Sequence, residues 1–189
     1  MPAGGSAAAA AVAMAAGLVE KAARLSSEQW IGAANVGKRA AVLRKLATIL
    51  VDADAAAYTD YMEAIQAARG LHTADRERIL APVRVRIVEV PLTIVRSAAE
   101  VADLAEEMAT HGNPNLRSDA IVATELAAAA AQSGATTLRS NVKTSKDARL
   151  IEARRLARGA SERARRLRAP ARAGGRGRAP ARSRDSGRR

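Results

Sequence analysis

Two aspartates stand where a carboxylate is costly, and what they could do there organises the reading of this chain. Asp54 falls in a run where Val36, Ala40, Leu43, Ala47, Leu50, Ala57, Tyr61, Ala64 and Ala68 recur by steps of four and three. That is a near-continuous heptad seam, and a carboxylate on it loses water unless a partner replaces the water. Asp119 follows the polar loop His111-Gly112-Asn113-Pro114-Asn115-Leu116-Arg117-Ser118. Gly112 supplies a helix-ending turn and Pro114, lacking an N–H, cannot continue the ladder. Asn115 or Ser118 then caps a new helix whose first turn holds Asp119 beside exposed amides. Counting on from Asp119, Val122, Leu126 and Ala129 or Ala130 keep helical spacing, which puts the carboxylate at the end of the expected buried stripe. Carboxylates whose surroundings tune their proton affinity serve as general acids and bases. Each also has a plain reading: Asp54 as a register-setting residue or half of a salt bridge, Asp119 as a first-turn carboxylate that steadies its helix.

Other chemistries are thinly supplied. The 189 residues include no cysteine and two histidines, which removes disulfides, thiolate nucleophiles and a His/Cys zinc site, so no metal is expected. Gly4, Gly5 and Ser6 end a short lead-in to the first expected helix, and backbone amides in such a turn can hold an anion, although a plain flexible cap is the preferred reading of these residues by themselves.

The elements that must position these residues are helical. An apolar share of 48% with 2% aromatics and no Phe leaves Ala, Leu, Val and Ile to fill the core. Such small residues suit closely packed helices better than a β-sandwich. Ser6 is the expected N-cap of a helix from Ala7 to about Leu25, and Ser26–Asn35 a linker anchored by Trp30. The seam helix follows, ending at Arg69-Gly70. Thr73 caps a helix over about 74–89, with a kink or break at Pro82 and a second break at Val90-Pro91. Beyond it, Ile94, Ala98, Val101, Ala105 and Met108 mark an amphipathic helix that ends near Gly112. Ser118–Gln132 reads as an Ala-rich helix ending at Ser133-Gly134, with helix resuming from Ala135 to about Arg158. The expected architecture is an all-α antiparallel helical bundle over 1–158, followed by a disordered basic C-terminal tail over 159–189. The apolar run Ala7–Val19 lacks a basic leader and is too short and Ala-rich to span a bilayer, so no membrane partner is expected and the location is read as cytoplasmic.

Four stretches in register resemble the cyclodeaminase/cyclohydrolase family, meaning the cyclodeaminase domain of formiminotransferase-cyclodeaminase and the related methenyltetrahydrofolate cyclohydrolases. Pro2-Ala3-Gly4-Gly5-Ser6 looks like its Pro-Gly-Gly-Gly-Ser opening, and Asp52-Ala53-Asp54 through Tyr58 like its Asp-x-x-Ala-aromatic signature. Val90-Pro91-Leu92 with Gly112-Asn113-Pro114-Asn115 and Ser118-Asp119-Ala120 forms the third, and Arg139-Ser140-Asn141 the fourth. Ala3 replaces a glycine, and Thr137 stands where the family usually has the first Asn of Asn-Val-x-x-Asn. The resemblance implies one-carbon chemistry on a tetrahydrofolate substrate without a separate cofactor. Either 5-formimino-tetrahydrofolate is cyclised to the 5,10-methenyl form with loss of ammonia, or the methenyl form is hydrolysed. It further implies Asp54 and Asp119 as catalytic carboxylates, with Asn113, Asn115 and Asn141 orienting the substrate and Gly4, Gly5 and Ser6 lining the site. A homodimer is implied too, and a formiminotransferase is a possible partner.

The formal charge of +12 looks like a nucleic-acid signal until it is located. Residues 154–189 hold 14 Arg against Glu162 and Asp185, so the rest of the chain balances 17 basic with 17 acidic groups. A tail of Arg, Ala, Pro, Gly and Ser buries too little to offset its ordering entropy. Without aromatic interleaving its nucleic-acid signal is weak, so a solvated extension is preferred over a nucleic-acid partner. Two alternatives to an enzyme remain: a helical binding or scaffold protein on the same bundle, and nucleic-acid binding through the Arg-rich tail.

Overall fold

The seam read from the sequence becomes the inner face of one long helix. In the computed structural model, which describes residues 4–169, it is α2 (Ala33–Ala67), with Val36, Ala40, Leu43, Ala47, Leu50, Asp54, Ala57 and Ala64 buried along one stripe. Before it lies α1 (Gly4–Arg24), and after it come α3 (Thr73–His111), a single 3-10 turn (Pro114–Leu116), α4 (Arg117–Asn141) and α5 (Ala148–Arg168). All the regular structure among the described residues is helical. Successive helices alternate in direction. Ser6 meets Asp54 and Glu20 meets Arg44, Arg39 meets Glu100 and Asp60 meets Arg86, Lys21 meets Asp119, and Gln132 meets Ser161. Helices α1 to α4 form the antiparallel bundle, and α5 lies in the groove between α3 and α4.

The core is built largely of alanine and valine, including Ala9, Val12, Ala16, Val19, Ala98, Val101, Ala123 and Ala127, all fully enclosed. Small side chains allow the axes to close up. At Gly134 the approach is so tight that a Cβ would stand 2.8 Å from Val95 Cγ2. The far half of α2 and the start of α3 form a hairpin with its own small cluster of Ala64, Ala68 and Leu80. Gly70 turns that hairpin at φ +73°, a left-handed conformation that glycine adopts without strain. Helix α1 is 21 residues long, with mean hydropathy 1.3 over its most apolar window, so length and composition alone would let it cross a membrane, against the reading from Ala7–Val19. Ten of its residues are instead buried against its neighbours.

Several expected boundaries are corrected. Helix α3 runs unbroken through Pro82 and Pro91. Proline removes one N–H and so frees one carbonyl in the preceding turn. The carbonyl freed by Pro91 is that of Ile87, and the Asn141 side chain donates to it at 2.7 Å. The one freed by Pro82 belongs to Arg78, an exposed residue. Helix α4 passes through Ser133-Gly134, and the break comes at 142–147, where the Asp147 carboxylate accepts from Arg149 N–H and caps α5.

The expected boundary at 158 also shifts. Residues 159–168, assigned to the tail, continue α5, because Ala153, Ala157, Ala160, Ala164 and Leu167 form a buried seam at helical spacing. Residues 170–189 lie outside the described residues.

Candidate functional site

Asp54 is 6% exposed and sits one turn after Leu50 on the inner stripe of α2. What faces it is the start of α1. The Ser6 hydroxyl lies 3.0 Å from Asp54 Oδ2 and 3.0 Å from the Val51 carbonyl, while Ser6 itself is 1% exposed. Ser6 is therefore an interior helical residue, not the N-cap of α1. Its neighbour Gly5 has no room for a side chain, since a Cβ would stand 2.1 Å from Asp54 Oδ1. The glycine admits the carboxylate between the two helices.

The Ser6 hydroxyl can pair with a carboxyl in either of its forms. A hydroxyl has one proton to donate and lone pairs to receive one. With Asp54 ionised, the Ser6 hydroxyl donates to it. With Asp54 protonated, the carboxyl can donate to Ser6 Oγ while the hydroxyl turns to Val51, so no buried group is left unpaired.

Gly4, on the adjoining face of α1, approaches α4, where a Cβ would meet Thr137 Oγ1 at 3.6 Å. Gly4, Ala7, Ala11, Gln132, Ser133 and Thr137 border an open groove of about 540 Å³ between the two helices. Asn141 lies one turn beyond Thr137, with its amide nitrogen held by Ile87. Gly4, Gly5, Ser6, Asp54 and Asn141 thus gather at one end of the bundle.

Asp119, Asn113 and Asn115 gather at the other. Asp119 accepts from Lys21 Nζ at 2.8 Å, with its side chain 29% exposed. Ser6 and Lys21 are fifteen residues apart on α1, which is about 22 Å along the helix axis. The expected stripe of Val122 and Leu126 is displaced by one position: Ala120, Ala123, Ala127 and Ala130 face the core and Val122 is 46% exposed. Asp119 accordingly stands at the surface. Neither Asn115 nor Ser118 caps α4, which starts after Leu116 with no side-chain cap; Asn113 instead caps the preceding 3-10 turn, its side chain accepting from Asn115 N–H at 3.0 Å. Its own N–H donates to Ser26 Oγ at 2.8 Å, and Asn115 is exposed. Trp30 packs against the core and meets His111 at a tilt of 35°, ring centroids 5.3 Å apart, as a local anchor.

One titratable cluster escaped the sequence reading because its partner lies in residues 159–168. Asp103 on α3 pairs with Arg163 on α5, and burial pushes its carboxyl above the usual range while Arg163 opposes the shift. On the same helix, hydrogen bonding to Arg96 holds Glu152 below its usual value. Hydrogen bonding to Arg149 does the same for Asp147. Among the described residues no three His, Asp or Glu side chains gather as a metal-binding group.

The crystal structure of formiminotetrahydrofolate cyclodeaminase from Thermotoga maritima is similar in fold, with a TM-score of 0.73 and 22% identity over 88% of this chain and 87% of that one. No curated protein sequence matches the chain. The family profile described as formiminotransferase-cyclodeaminase matches residues 1–158. The chain belongs to the formiminotransferase-cyclodeaminase family.

Proposed function

We propose that the chain is a folate-dependent one-carbon enzyme that cyclises 5-formimino-tetrahydrofolate to 5,10-methenyl-tetrahydrofolate, with Asp54 as its proton carrier. The observation that supports this reading most is the enclosed carboxylate of Asp54, faced by a glycine and a hydroxyl that serves both of its protonation states.

The reaction asks for that behaviour. N10 of the substrate attacks the formimino carbon and loses its proton, and the former imino nitrogen must gain protons to leave as ammonia. The N10 proton and one from solvent complete the ammonia, leaving the bridging carbon as a cation. An ionised carboxylate can take the N10 proton, pass it to the departing nitrogen, and stabilise the cation that remains. Gly4, Gly5 and Ser6 would line the pocket, and the free carbonyl of the Asn141 amide would orient the substrate.

Asp119, Asn113 and Asn115 lie too far along α1 to touch the same carbon in one chain. Their part is therefore proposed through a homodimer that brings the Asp119 end of a second copy beside Asp54. Exposed Tyr58, Met62 and Val85 on the α2–α3 hairpin give such a dimer apolar surface to cover. A formiminotransferase partner and a cytoplasmic location belong to the same reading.

Incubating the purified chain separately with 5-formimino- and 5,10-methenyl-tetrahydrofolate, and following ultraviolet absorbance, tests the proposal. Methenyl absorbance growing from the formimino substrate is expected. Loss of methenyl absorbance without formation from the formimino compound would assign the hydrolytic reaction instead, and no change with either would refute an enzyme.

A further inference from the structure

Helix α5 carries its charge unevenly. On the flank toward α3, arginine and acid alternate in pairs: Arg149 with Glu89, Arg96 with Glu152, Arg163 with Asp103 and Glu106, and Arg166 with Glu106. On the flank toward α4 the pattern holds at Arg168, which pairs with Glu125 of α4, and fails along the rest of the helix. Arg154, Arg158 and Arg165 are exposed there, and among the described residues they enter no ion pair. Opposite them α4 presents Gln132, Ala135 and Thr136, none of them acidic, and these residues and Ser161 line an open groove of about 400 Å³ between the two helices. Glu125 borders the adjoining groove that Arg165 shares with Arg168.

Nothing in the folding of α5 calls for these three arginines. The helix is docked by Ala153, Ala157, Ala160, Ala164 and Leu167 and by the α3 ion pairs. Arg154 and Arg158 are one turn apart, and like charges at that spacing repel. The arrangement is relieved when an anion lies across them.

We propose that the α4–α5 groove binds a linear phosphate chain. Along the helix axis the steps from Arg154 to Arg158 and from Arg158 to Arg165 are about 6 Å and 10 Å, a span one extended chain can follow. Each guanidinium offers parallel N–H donors that match phosphate oxygens. The Gln132 amide, now donating to Ser161 Oγ at 2.7 Å, adds a neutral donor between the charges, while the Ser161 and Thr136 hydroxyls donate to the carbonyls of Ala157 and Gln132 on their own helices. No aromatic side chain lines the groove, so phosphates and not bases are read. Inorganic polyphosphate and the backbone of a single-stranded nucleic acid share this chemistry. The site lies apart from Asp54 and does not depend on the folate reading.

The test uses the full chain, because residues 170–189 carry seven further arginines that could bind the same anion. A labelled oligothymidylate is titrated by fluorescence anisotropy at increasing salt, against the parent and against the combined Arg154→Gln, Arg158→Gln, Arg165→Gln variant, with inorganic polyphosphate as competitor. The variant is expected to melt as the parent does, to bind at least about tenfold more weakly at low salt, and to lose about 2 from the slope of log K against log salt, the share of three phosphate contacts. Oligonucleotide binding that polyphosphate displaces only at higher phosphate concentration supports a nucleic-acid backbone, and displacement at far lower phosphate concentration supports the free polymer. Unchanged affinity and slope in the variant would place any binding outside the groove and overturn the proposal. Stronger competition by a polyglutamate peptide than by polyphosphate would overturn the phosphate assignment.

Discussion

The Asn141 amide nitrogen donates to the carbonyl of Ile87 at 2.7 Å, and that carbonyl is the one Pro91 leaves without its helical donor. A side chain from α4 thereby satisfies the carbonyl that Pro91 leaves free in α3, and the helix continues through the proline. Asn141→Ala should cost about 1–3 kcal/mol, the penalty for an unsatisfied buried acceptor. In a Pro91→Ala background residue 91 supplies its own N–H, so the same substitution should cost much less. Denaturant unfolding of the two singles and the double variant checks this, and equal costs in both backgrounds would refute it.

Gly4 and Gly5 should differ sharply although they are adjacent. A Cβ at Gly5 would stand 2.1 Å from Asp54 Oδ1, whereas one at Gly4 meets Thr137 Oγ1 at an ordinary 3.6 Å. Gly5→Ala should lower stability by about 1–3 kcal/mol through overpacking and should abolish turnover by displacing the carboxylate. Gly4→Ala should stay within about 1 kcal/mol of the parent. Unfolding curves and turnover on the same samples separate the two.

The last turns of α5 are part of the bundle. Leu167 is 9% exposed at the end of the buried Ala seam, and Leu167→Ala should cost about 2–3 kcal/mol. A thermal melt unchanged by this substitution would return residues 159–168 to the tail.

Acid should loosen α5. Asp147 and Glu152 both titrate below their ordinary values of 3.8 and 4.5 because Arg149 and Arg96 hydrogen-bond their charged forms. For an acid depressed in the folded state, the stabilisation is complete above the unfolded value and disappears as pH falls through the folded one. The loss should therefore begin below about pH 4.5 and deepen further down. Asp103, raised by burial, works in the opposite sense, since its protonation relieves a cost. Thermal melts from pH 6 to pH 3 should show Glu152→Gln losing less stability than the parent.

The helices and the seam of α2 were legible because Val36, Ala40, Leu43, Ala47, Leu50 and Ala57 keep one spacing over many turns. Asp54 was legible for the same reason, as the one acid on that stripe. Its contact with Ser6 was not, since nothing local reveals a bond across 48 residues. Breaks were misplaced at Pro91 and Gly134 because each is a helix breaker only until a tertiary partner compensates it: Asn141 in one case, the close approach of Val95 in the other. The end of α5 was missed because its buried stripe is nearly all alanine, which counts little as apolar content and much as helical spacing. Asp119 was placed on a buried stripe by counting Val122 and Leu126, where the core is built from the alanines beside them.

Asp54 carries the proposed proton transfers, and Asp54→Asn probes them directly. Asparagine keeps the shape and can still accept from Ser6, but it can no longer carry a proton. Melting temperature and cyclisation of 5-formimino-tetrahydrofolate should be measured on one preparation. Turnover should fall by about two orders of magnitude or more, the range expected when a general acid/base is removed, while the melting temperature holds or rises as a buried charge is lost. A variant that melts lower yet turns over normally per folded molecule would contradict the account.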